Sequence, residues 1–163
     1  MAVHVFATLD TKGDEAAFVC AELARAGAEV VLIDTGCLGE PRVRADIARE
    51  AVFEAAGTSL EALRARGERG EAVTAAARGA EELVRRAFAE GRVDGVLGIG
   101  GGAGTTIGTR AMRALPIGVP KLMVSTLASG QVAHLVERAS TGGVAVCRAS
   151  RLEARVQKGQ TTW

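Results

Sequence analysis

The sequence predicts an α/β fold: a three-layer sandwich around a Rossmann-like parallel sheet, with probable strand order 2-1-3-4. Three observations predict it. Short apolar runs at residues 3–9, 30–33, 93–99 and 121–125 alternate with longer segments of helical periodicity, the pattern of βαβ units whose strands are buried on both faces. Each run ends in small and polar residues: 8–11, 34–36, 100–105 and 125–130. The third run feeds GIGGGAGTTIGT, residues 98–109, an order of strand, glycine loop and helix that turns backbone N–H groups toward an anion.

Taken in order, the run at 3–9 reads as a buried strand that stops at Asp10-Thr11-Lys12-Gly13. A helix opens at Gly13 or Asp14 and continues to about Ala26. Its inner face carries Ala17, Cys20, Ala21 and Ala24, and Gly27 is its stop. Residues 30–33 form the second strand, ending at Asp34-Thr35-Gly36. After a loop with Gly39-Glu40-Pro41, Asp46 reads as the N-cap of a helix over 47–56. Residues 59–66 are short and amphipathic. Residues 71–90 are the longest helix, with Val73, Ala76, Ala77, Ala80, Leu83, Val84 and Phe88 at three- and four-residue spacing. The helix after the glycine loop ends near Leu115, before Pro116. Residues 121–125 make the fourth strand, and 143–147 a candidate fifth.

Composition sets bounds. The length of 163 residues suits one domain. A net charge of +1, four phenylalanines, one tryptophan and no tyrosine give no basic or stacking surface for nucleic acid. No apolar run approaches the ~18 residues of a membrane span, and MAVHVFATLD lacks the basic region of a secretory leader. Cys20, Cys37 and Cys147 have no metal spacing and read as reduced thiols, so a cytoplasmic location is expected. His4 and His134 have no acid or cysteine at ligand spacing, so no metal site is expected. GxSxG is absent, which argues against a hydrolase elbow.

The candidate site is the crevice outside the carboxyl ends of the strands. Gly98-x-Gly100-x-x-Ala103 fits the loose GxGxxA form, and no Lys-Ser/Thr follows at P-loop spacing. The candidate contacts are Gly100, Gly101, Gly102, Ala103, Gly104 and Thr105. Thr105 and Thr106 are placed to cap the helix or reach a phosphate. The other reading of this loop is a tight turn with no ligand. Thr11 and Lys12 lie past the first strand, where Lys12 is either a phosphate contact or a solvated loop lysine. Asp34, Thr35 and Gly36 lie past the second, where Asp34 either binds a ribose hydroxyl or caps a turn. Ser125, Thr126, Ser129 and Gly130 complete the set.

Four segments carry a resemblance: ATLDTKGDE, VLIDTG, VLGIGGGAGTT and RALPIGVPKLMVSTLASG. Over residues 1–130 the chain resembles the amino-terminal half of the Tm-1-like ATP-binding domain family, which includes the tomato mosaic virus resistance protein. The resemblance implies a Rossmann-like subdomain, ATP as the ligand with Mg beside it, and self-association or docking to a second α/β subdomain. It implies no established catalytic activity. Two rival functions stay open: a non-catalytic assembly module, and half of an enzyme acting on a small phosphorylated or carboxylated metabolite. The family pattern stops at Gly130, where an acid is expected next and Gln131 stands instead. Residues 131–163 read as a truncated or frame-altered end or a lineage-specific tail. The stretch 149–163 has too few large apolar residues to be held firmly.

Overall fold

The computed structural model describes residues 2–67, 69–127 and 144–148, with backbone alone for Arg69 and for 144–148. The apolar runs become strands β1 (Ala2–Ala7), β2 (Glu29–Asp34), β3 (Gly95–Gly100) and β4 (Lys121–Ser125), joined by β5 (Val144–Arg148). They form one sheet in the order β2-β1-β3-β4-β5, and every pairing is parallel. Register is set by pairs such as Val3 with Val30 and with Gly95, and Leu97 with Leu122. The predicted order 2-1-3-4 is therefore the order of the first four strands, and the candidate fifth strand extends it by one position.

Strand alternation divides the core between two faces. Phe6, Ile33, Val96 and Met123 point to one side, where α2 (Arg49–Ala55), α3 (Leu60–Arg66), α4 (Arg69–Ala89) and α5 (Gly102–Arg113) pack. Val5, Ala7, Leu32, Leu97, Ile99 and Val124 point to the other, against α1 (Leu9–Arg25). This is the three-layer sandwich. Gly79 of α4 lies so close to α2 that an added Cβ would fall 1.8 Å from the Val52 carbonyl oxygen, which fixes the spacing of these helices. Gly27 and Gly91 end α1 and α4 at φ of +81° and +71°, a conformation that L side chains resist.

Two boundaries differ from the sequence reading. The α1 segment starts at Leu9, but Lys12 is non-helical at φ −126° and ψ 23°. A single turn, closed by the Thr11 and Lys12 amides on the Thr8 carbonyl, thus precedes the regular helix that the sequence places from Gly13. Asp46 is not an N-cap. Residues 46–47 run beside β2, with Ile33 bridged to Ile47 and the Asp46 carboxylate accepting from the Leu32 amide at 2.8 Å. That bond satisfies an N–H on an edge strand, and α2 begins at Arg49 with Ala48 as its cap residue. Ser59 does cap α3, accepting from the Ala62 amide. Among the described residues no helix is long and apolar enough to cross a membrane.

Candidate functional site

Strand order reverses between β1 and β3, so the segments leaving these two strands diverge and open a crevice at the switch point. A cleft of about 260 Å³ lies there, lined by Thr8, Asp10, Thr11 and Lys12 after β1, Cys37 and Leu38 after β2, Val73 of α4, and residues 101–104. Four sequence-predicted glycine-loop residues, Gly101, Gly102, Ala103 and Gly104, thus meet Thr11 and Lys12 in one place.

The glycine loop is built for close approach and has no positive φ. Gly100 ends β3 against the first turn of α5, and a Cβ on it would sit 2.5 Å from the Gly104 Cα. Gly101 is the cap residue of α5 and no side chain caps the helix. The first-turn amides, Gly102 to Gly104, therefore stand at the cleft with no intrahelical acceptor, at the positive end of the helix dipole.

Thr105 and Thr106 do not cap this helix. The Thr105 hydroxyl donates to the Gly101 carbonyl at 2.7 Å and meets Ser125 Oγ at 2.7 Å, and the Thr106 hydroxyl donates to the Gly102 carbonyl at 3.0 Å. Thr105 and Ser125 are buried, at 1% and 0% exposure. Their hydroxyls join α5 to the end of β4 and are engaged with each other and with the Gly101 carbonyl. Thr126 lies beside Gly101, its amide bonded to the Gly100 carbonyl. Ser129 and Gly130 lie outside the described residues.

Lys12 lines the cleft and pairs with Glu15 at 2.9 Å, the side chains 17% and 13% exposed. The Thr11 hydroxyl meets that of Thr8 at 2.9 Å. Asp34 takes the turn-capping role: Oδ1 accepts from the Gly36 and Leu9 amides at 2.8 and 3.2 Å, and Oδ2 binds Arg49 Nε at 2.7 Å in a buried ion pair. With Thr35 also buried, residues 34–36 frame the site, and their successors Cys37 and Leu38 line it. The Cys37 thiol donates to the Thr35 carbonyl and is pushed up to about 11, chiefly by burial and then by the Asp10 charge, so it is no thiolate at neutral pH. Among the described residues no three His, Cys, Asp or Glu side chains gather as a metal set.

Sequence reasoning missed Cys37, Leu38 and Val73, and placed segment 8–11 at the crevice without naming Thr8 and Asp10 as contacts. One signal was available for Leu38, a large apolar residue in a loop of glycine, acid and proline. Val73 reads as core from its periodicity and is only partly buried.

Fold and cleft define a Rossmann-like α/β subdomain with a strand-end site at its switch point. The chain belongs to the uncharacterised protein family UPF0261, whose N-terminal domain matches residues 1–141. That match runs past Gly130. The chain is 40% identical over 128 residues to a UPF0261 protein of Clostridium tetani, covering 78% of this chain and 32% of the relative. It is 41% identical over 135 residues to one of Rhizobium meliloti, covering 83% and 33%. A stretch of 63 residues, 39% of the chain, is 43% identical to 8% of the ToMV susceptible protein tm-1 of Solanum lycopersicum, in line with the Tm-1-like resemblance. The chain spans about a third of the length of the bacterial relatives it matches.

Proposed function

We propose that this chain is a nucleotide-binding subdomain that takes the phosphates of ATP on the first-turn amides of α5, with Lys12 and Thr11 beside them. One observation carries the reading: an uncapped helix N-terminus opens into the same switch-point cleft as a lysine and a threonine from the neighbouring strand end. The donor set suits phosphate. A divalent cation would ride with the phosphates, since among the described residues Asp10 is the one carboxylate lining the cleft and its Oδ2 already serves two loop amides.

The cleft is slightly smaller than the roughly 300–1,000 Å³ of pockets that enclose a whole ligand. It therefore suits part of a nucleotide, and affinity is weak: a dissociation constant above about 1 μM. Among the described residues the cleft's only carboxylate, Asp10, is held by two loop amides on Oδ2, and the chain alone is expected not to hydrolyse ATP. A thermal-shift screen with Mg-ATP, ADP, NAD and inorganic phosphate tests this. Ligand at ~100 times its dissociation constant adds about 2.7 kcal/mol. Absence of any shift at millimolar ATP overturns the reading.

The assembly-module reading is favoured by the exposed side chains of Leu38 and Leu127, both near Gly102. On that reading no nucleotide shifts the melt, and self-association does.

A further inference from the structure

A large apolar side chain half in water ordinarily belongs to a loosely held loop. Leu38 is 49% exposed, yet its loop is pinned by charged side chains from three other elements. Asp10 Oδ2 accepts from the amides of Leu38 and Gly39 at 2.9 and 3.1 Å. Arg49 Nη1 donates to the Gly39 carbonyl at 2.5 Å, itself fixed by the buried Asp34. Arg64 donates to the carbonyls of Cys37 and Leu38. These five bonds fix the backbone that carries Leu38 at the cleft, so little further ordering of the loop is needed to make a contact there.

The lining of the cleft also divides by chemistry. The turn after β1 brings Asp10, Thr11 and Lys12, whereas the loop after β2 and helix α4 bring Leu38 and Val73. Thr11 and Lys12 of the first set suit phosphates, and Asp10 holds the loop. The second set suits a flat apolar group on the same ligand.

We infer that Leu38 is a preset wall for the nucleobase, and that the wall accepts bases without reading them; this rests on the nucleotide-binding reading above. The same five bonds explain the tolerance. The amides of Leu38 and Gly39 are both engaged, and the carbonyls of Cys37, Leu38 and Gly39 each already accept from a guanidinium. The loop therefore offers a base apolar surface and no spare N–H at residues 38 and 39. Discrimination by a site comes from polar groups left unpaired with the wrong ligand, and this wall has few to leave.

The test is titration calorimetry of the chain and of Leu38→Ala with three Mg-loaded probes: ATP, GTP and inorganic tripolyphosphate. Leu38 is an exposed loop side chain, so the variant folds, and its melt confirms that. Wild type is expected to bind ATP and GTP within about threefold of each other, and both roughly tenfold tighter than tripolyphosphate. Leu38→Ala is expected to lose about five- to tenfold for both nucleotides and to leave tripolyphosphate unchanged. Discrimination of ATP over GTP beyond about tenfold overturns the tolerance. Unchanged ATP binding in Leu38→Ala, equal loss on all probes, or wild-type tripolyphosphate binding as tight as ATP overturns the wall and leaves the phosphate site standing. Failure of wild type to bind any probe overturns both.

Discussion

The Thr105 and Ser125 hydroxyls meet at 2.7 Å with no access to water. Around them the donors can be ordered. The Leu127 amide donates to Ser125 Oγ, Ser125 donates to Thr105 Oγ1, and Thr105 donates to the Gly101 carbonyl. Each hydroxyl then gives one hydrogen bond and accepts one, so neither is left with an unused proton. Thr105→Val keeps the shape and orphans the Ser125 proton, at a cost of about 1–3 kcal/mol. Ser125→Ala removes the acceptor of the Leu127 amide and the donor to Thr105 Oγ1. Urea melts of both single variants and the double variant check this. The double variant is expected to lose less than the sum of the singles; strict additivity would show that the two hydroxyls are independent.

That pair also marks how far the sequence is readable. The strands were legible because a run buried on both faces is largely apolar, as at the Leu122-Met123-Val124 centre of β4. So was the position of the cleft, since parallel strands put all their carboxyl ends on one edge. Side-chain direction was not. Nothing local says that Thr105 turns inward to Ser125, or that Asp34 finds its partner 15 residues on at Arg49. Asp46 misled for a related reason: an acid before a helical stretch looks like a cap, but an edge-strand amide was in reach first. Leu38 and Val73 enter the site through tertiary placement, which no periodicity encodes.

Glycines within one loop should behave differently. Gly100→Ala drives a Cβ into the Gly104 backbone at 2.5 and 2.9 Å. Neither chain can yield cheaply, and a loss of at least about 1–3 kcal/mol is expected. In Gly102→Ala the new Cβ meets, among the described residues, only the Leu127 side chain, at 3.4 Å. Because φ is not positive there and Ala favours a helix over Gly, stability stays level or rises by up to about 1 kcal/mol. Nucleotide affinity in that variant falls roughly tenfold, because a methyl group crowds a phosphate on the amides. Denaturant melts paired with ATP titrations separate the two effects. Unchanged affinity in Gly102→Ala moves the phosphates off this helix.

His4 predicts a pH dependence that has nothing to do with ligand. It is buried in β1 and its Nδ1 has no hydrogen-bond partner among the described residues. Burial holds its pKa below the usual 6.5, Arg92 adds repulsion, and Glu29 offsets part of it. The unfolded chain therefore takes a proton near pH 6.5 that the folded chain refuses. Stability from this group is full above that pH and falls as pH drops toward the lowered folded value. His4→Leu removes the linkage. Melts at about pH 7.5 and 5.5 are expected to show a steeper loss for wild type than for the variant. Parallel losses would assign the acid sensitivity to carboxylates.

The last prediction concerns the acid at the end of β2. In dinucleotide-binding folds a carboxylate at this place holds the ribose hydroxyls. Here both Asp34 oxygens are committed, Oδ1 to the Leu9 and Gly36 amides and Oδ2 to Arg49, and the residue is 2% exposed. A ribose could reach it only by breaking a buried ion pair whose surviving partner would be stranded. Wild type is therefore expected to bind ATP and 2′-deoxy-ATP with affinities within about twofold. Arg49→Met leaves the Asp34 charge buried without its counterion, and a loss of about 3–5 kcal/mol is expected. The double variant Asp34→Asn/Arg49→Met removes both charges and recovers part of that loss. If instead wild type prefers ATP over its deoxy form by roughly tenfold or more, and Asp34→Asn abolishes the preference, then the carboxylate does read the sugar and the ion pair must open on binding.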